Sequence, residues 1–84
     1  MLLALLGRRA EAIRVELNAL KLNPGDSPLL RHLAILYFSV GDEAAGRVYS
    51  SLAYDASPDT GRGSFGMFQQ FLEDQARQLV TEAK

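Results

Sequence analysis

The sequence predicts an all-α fold of about four helices. Three observations carry this. Apolar residues recur at helical spacing, as Ile13, Leu17 and Leu20 do at i, i+4 and i+7. The β-branched content is low for a sheet, with four valines, two isoleucines and two threonines in 84 residues. Turn residues cluster at three places and divide the chain into helix-length segments.

The first segment, near 2–22, opens on Leu2-Leu3-Ala4-Leu5-Leu6 and carries the Ile13, Leu17, Leu20 stripe, with a bend expected at Gly7. Asn23-Pro24-Gly25-Asp26-Ser27-Pro28 ends it, because two prolines and a glycine in six residues cannot continue a helix. The second segment, near 28–40, starts with Ser27 as N-cap and Pro28 at the first helical position. Leu29, Leu30, Leu33, Leu36 and Tyr37 give it a broad apolar stripe. Val40-Gly41-Asp42 is a short break. The third segment, near 42–56, continues the stripe through Val48, Leu52 and Ala56. Ser57 to Gly63 is the longest polar stretch. The fourth segment, near 64–82, has Ser64 as its cap and Phe65, Phe68, Leu72 and Leu79 as its apolar face, widened by Met67 and Phe71. Gly66 in its first turn costs about 1 kcal/mol relative to alanine and predicts a frayed start. The aromatic set Phe65, Phe68 and Phe71 is expected to be core, each ring contributing on the order of 2 kcal/mol by burial.

Size and composition bound the function. A chain of 9.2 kDa is one domain, spanning 1–84. Size scaling allows roughly 63% of its surface to be buried, enough for a single core. Hydrophobic residues at 48% and a net charge of −1 exclude a disordered tail and give no basic surface for nucleic acid or an anionic membrane. Cysteine is absent, so there is no disulfide frame and no thiolate metal site, and a reducing, cytoplasmic setting is expected. The apolar start is too short for a signal-peptide core or a membrane span.

The chain also resembles itself at an offset of 34 residues. Gly7 falls on Gly41, Ala10 on Ala44, Ala12 on Gly46, Ala19 on Ala53 and Pro24 on Pro58. A 34-residue helix–turn–helix period resembles the tetratricopeptide repeat. Leu33-Ala34, Tyr37, Gly41-Asp42, Gly46, Ala53 and Pro58 match its pattern of bulky, small, turn and closing residues. The resemblance implies a right-handed stack of antiparallel helix pairs. Residues 1–24 would be half a repeat, 27–60 a full one and 64–82 a capping helix. Ala34, Gly46 and Ala53 would supply hollows, and Leu30, Tyr37 and Leu52 the bulk that fills them. The run Gly41 to Arg47 is also loosely similar to small bacterial repeat proteins.

Such repeats present a concave surface lined by the first helix of each unit. The resemblance places Arg31, Ile35, Phe38 and Ser39 on it, a mixed set suited to a partner's peptide or helix. Some members hold a C-terminal carboxylate with lysine, arginine and asparagine. Here Ile35 stands at the asparagine position, and a heat-shock chaperone tail is not the expected ligand.

The sequence holds no catalytic constellation, cofactor motif or metal set. His32 is the only histidine, without the companions a zinc site needs, and is expected to be a partly exposed structural residue to which Glu11, Glu16 or Asp42 could come near. Gly61-Arg62-Gly63-Ser64 lacks the lysine and spacing of a phosphate loop. Glu73 and Asp74 diverge by about 100° on a helix and do not share a proton. The expected function is therefore non-enzymatic: a protein-interaction adaptor or scaffold. The alternative is a structural, self-associating unit or a piece of a longer repeat array. Leu2, Leu3 and Leu6 mark the expected self-association surface, with a two-fold homodimer as the simplest closed solution.

Overall fold

The described residues form four α-helices: α1 (Leu2–Leu22), α2 (Ser27–Ser39), α3 (Glu43–Ala56) and α4 (Phe65–Glu82). The computed structural model describes residues 2–56 and 64–82, and side chains from 8 to 56 and from 64 to 81. Pro58 and Gly61-Arg62-Gly63 lie outside the described residues, as do the side chains of Leu2, Leu3, Leu5 and Leu6. α1 runs through Gly7 as one helix. The fold is all-α, and among the described residues no strand forms.

The turn between α2 and α3 shows how three residues end one helix and start the next. Gly41 has φ +89°, a conformation that costs glycine nothing. The Gly41 amide donates to the Phe38 carbonyl (3.1 Å) and the Asp42 amide to the Tyr37 carbonyl (3.0 Å), the Schellman pattern. Asp42 then caps α3, its Oδ1 accepting from the Ala45 amide at 3.1 Å. At the start of α2 the cap is Asp26, not Ser27. Its Oδ1 accepts from the Leu29 amide at 3.2 Å, and Ser27 becomes the first helical residue with Pro28 second. Ser64 caps α4 as expected, its hydroxyl accepting from the Met67 amide at 3.3 Å.

α2 is the central helix and packs against α1, α3 and α4. Its mean hydropathy is the highest of the four, as its position requires. Ile13, Leu33 and Leu36 form a buried cluster, with Leu17, Leu20, Leu29, Tyr37, Val40 and Tyr49 packed against it. Tyr37 and Tyr49 stack across α2 and α3, ring centroids 5.3 Å apart. Burial raises the Tyr37 phenol above its ordinary pKa, with the Tyr49 phenol and the Asp42 carboxylate adding to the effect.

On α3 the small residues expected inside, Gly46 and Ala53, do lie inside, while the expected apolar stripe through Val48 and Leu52 does not. Gly46, Ser50 and Ala53 are its buried residues, spaced i, i+4 and i+7, whereas Val48 and Leu52 are 55% and 45% exposed. The physical reason is close approach: α2 and α4 bring the large side chains, and α3 contributes the hollows. Gly46 shows the limit, since a Cβ there would sit 2.6 Å from two Phe38 ring carbons. Ala34 on α2 is fully buried too, so the small residues at 34, 46 and 53 do lie inside, while Leu52 does not fill them.

α4 also departs from the expected aromatic core. Leu72 and Ala76 are its buried residues, whereas Phe71 is 54% exposed. Phe65 and Phe68 meet Tyr54 edge to face, centroids 5.4 and 5.5 Å away. Phe65 lies at the surface and Phe68 is half-buried, so the aromatics seal the rim of the α3–α4 contact and not its centre. An Arg9 Nη2 contact with the Leu79 carbonyl at 3.4 Å ties α1 to the last turns of α4.

Candidate interaction surface

The residues expected to line a concave face do not share one environment. Arg31 is exposed, and Ile35 and Phe38 are half-buried. Ser39 is buried and its hydroxyl donates to the Leu36 carbonyl at 2.7 Å, so it is withdrawn from any groove. This three-residue back-bond satisfies the hydroxyl locally, a common use of serine inside a helix.

Phe38 instead borders an open concavity of about 380 Å³ between the end of α2 and the second half of α4. Ala76, Val80 and Phe38 form its apolar part. Glu43, Glu73, Arg77 and Thr81 supply charged and polar groups around it, and Gly41 contributes backbone. The α4 residues arrive together because 73, 76, 77, 80 and 81 recur at helical spacing. The site is thus built by two elements: the Schellman turn fixes the level of Phe38, and burial of Leu72 and Ala76 fixes the rotation of α4. Sequence reasoning missed the α4 half. The signal was present in Leu72, Ala76 and Val80 at i, i+4 and i+8.

A second concavity, about 560 Å³, lies between α1 and α3. Leu17, Leu20, Pro24 and Tyr49 form its apolar lining, and Arg14, Asn18 and Lys21 stand along it.

Neither a protein-family model, a curated protein nor a solved structure matches the chain. Its functional reading therefore rests on its own side chains.

His32 pairs with Glu16, of the three carboxylates expected as candidates. Its Nδ1 lies 2.6 Å from Glu16 Oε1 and donates to it, linking α1 to α2. The imidazole is half-exposed while the carboxylate is mostly covered. Glu73 and Asp74 diverge as expected: Gln69 donates to Glu73, and Gln70 and Arg77 donate to Asp74. Among the described residues, no three of His, Asp or Glu gather as a metal set, and no helix is long and apolar enough to cross a membrane.

Proposed function

We propose that the chain is a protein-interaction module, a tetratricopeptide-like adaptor or scaffold that binds a peptide or helix of a partner protein in the cytoplasm. The observation that supports it most directly is the concavity between α2 and α4. It offers an apolar strip of Phe38, Ala76 and Val80 with carboxylates and a guanidinium at its border, the mixture an amphipathic peptide requires. The small residues buried between helices at 34, 46 and 53 are in keeping with the repeat-like stacking.

The test is selection of binders from a random peptide display library, in parallel on the native chain and on Val80→Glu. Val80 is half-buried at the concavity, so the substitution introduces a charge without opening the core. Peptides enriched on the native chain should lose binding to Val80→Glu by about tenfold or more. Peptides that bind both forms equally would place recognition elsewhere.

A second reading is self-association. Val15, Ala19 and Leu22 sit at i, i+4 and i+7 on α1 and are exposed, Val15 at 66% and Leu22 at 89%. This stripe would be covered in a two-fold dimer. Sedimentation at micromolar concentration decides it: a species of twice 9.2 kDa that returns to monomer in Val15→Glu/Leu22→Glu supports the dimer, and a 9.2 kDa native species rejects it.

A further inference from the structure

The cleft between α1 and α3 is a second surface, separate from the concavity at α4, and its charge is one-sided. Arg14, Leu17, Asn18 and Lys21 follow i, i+3, i+4 and i+7 and form a single stripe along α1. The two cations stand at its ends, two turns or about 10.5 Å apart along the helix. Neither belongs to an ion pair among the described residues, in contrast to Arg47, which reaches Glu43, and Arg77, which reaches Asp74. No carboxylate lines the cleft.

Apart from Asn18, the rest of the lining is apolar: Leu17, Leu20, Pro24 and the ring of Tyr49. Tyr49 is stacked on Tyr37, which sets the orientation of this wall. Leu52, one turn further along the same side of α3, is 45% exposed and lengthens the apolar strip.

We propose that this cleft docks an acidic amphipathic helix of a partner protein. The helix lays its apolar face on Leu17, Leu20, Tyr49 and Leu52, and its flanking carboxylates meet Arg14 and Lys21. A trough between two helices suits helix-in-groove recognition, and two cations outside any ion pair among the described residues, in a lining that holds no carboxylate, select the sign of the partner's charge. The attraction is solvent-exposed and weakens with salt.

The probe is an acetylated, amidated peptide of about 14 residues, roughly 21 Å of helix, with leucines on one face and glutamates on both flanks. A counterpart carries lysines in place of the glutamates. Each is titrated into the isotope-labelled full chain and followed by amide chemical shifts. The glutamate peptide should move the amides of Leu17, Lys21 and Tyr49 and bind about tenfold tighter than the lysine peptide. Arg14→Glu/Lys21→Glu should invert that preference, and Arg14→Gln/Lys21→Gln should remove it. All four substitutions are at exposed positions, and an unchanged circular dichroism spectrum identifies the variants that are folded. The milder glutamine pair gives the answer if the reversed pair does not fold. Equal affinity for the two peptides, or no binding, overturns the proposal. So do shifts confined to Phe38 and Val80, which would assign the peptide to the other concavity. A native dimer that occupies the cleft and excludes the peptide overturns it in favour of a second copy of this chain.

Discussion

Replacing Gly46 by alanine sets two known effects against each other. Alanine is favoured over glycine inside a helix by about 1 kcal/mol, so at an unobstructed position the change would stabilise α3. Here the new methyl would lie 2.6 Å from Phe38 Cδ1 and Cε1 and 2.8 Å from Cγ. Ordinary carbon contacts begin near ~3.5 Å, so the ring must yield by nearly ~1 Å. Forced repacking of that kind costs about 1–3 kcal/mol. The net expectation is a loss of roughly 0–2 kcal/mol, centred near ~1 and corresponding to a fall in Tm of about 4–8 °C for a domain of this size. Removing the obstruction should reverse the sign. In a Phe38→Ala background, Gly46→Ala should recover its helix preference and raise stability by about 1 kcal/mol. The coupling between the two positions is then about 2 kcal/mol. Phe38 is half-buried, so its own truncation costs only part of the ~3–5 kcal/mol of a fully buried phenylalanine. Thermal and urea unfolding of the four proteins, followed by circular dichroism, measures the cycle. A stabilising Gly46→Ala in the native background, or one sign in both backgrounds, would refute the close approach of α2 and α3.

Three further outcomes follow from the same contacts. Ala53→Trp should destabilise by about 1–3 kcal/mol or prevent folding, because Ala53 is fully buried, and an unchanged melting temperature would put that position on the surface. Asp26→Ala should cost about 1 kcal/mol by removing the acceptor for the Leu29 amide, while Ser27→Ala should cost much less; the reverse order in urea midpoints would restore Ser27 as the cap. The raised pKa of Tyr37 means that the folded chain favours the neutral phenol. Its contribution is intact below about pH 10 and is lost as pH rises through the higher folded value. Tyr37→Phe should flatten the alkaline fall in stability, and an identical fall in both proteins would contradict the upward shift of the Tyr37 phenol.

The helices and their junctions were legible because local chemistry sets them. Gly41 and Asp42 carry both a left-handed turn and a cap in two residues, and Pro24 follows the end of α1. Asp26 and Ser27 are both good caps ahead of a proline that tolerates either first-turn position, so only the observed bond to the Leu29 amide separates them. The inward face of α3 was half legible: Gly46 and Ala53 were expected as hollows and are buried, but the large apolar Val48 and Leu52 suggested a stripe that instead faces outward. The spacing of Gly46, Ser50 and Ala53 held that information, and Ser50 fits because its hydroxyl donates back to the Gly46 carbonyl at 2.7 Å. α4 misled similarly through Phe71. The site was half legible, since Phe38 could be placed on an open face of α2, while the rotation of α4 depends on tertiary packing around Leu72 and Ala76.

The most direct test of the interaction-module account is the footprint of a selected peptide on the isotope-labelled chain. The account predicts chemical-shift changes clustered at Phe38, Ala76, Val80 and Thr81, and intermolecular contacts from an apolar peptide side chain to the Phe38 ring. Peptides that bind with no change at those four residues, or a chain from which no peptide can be selected, would contradict it.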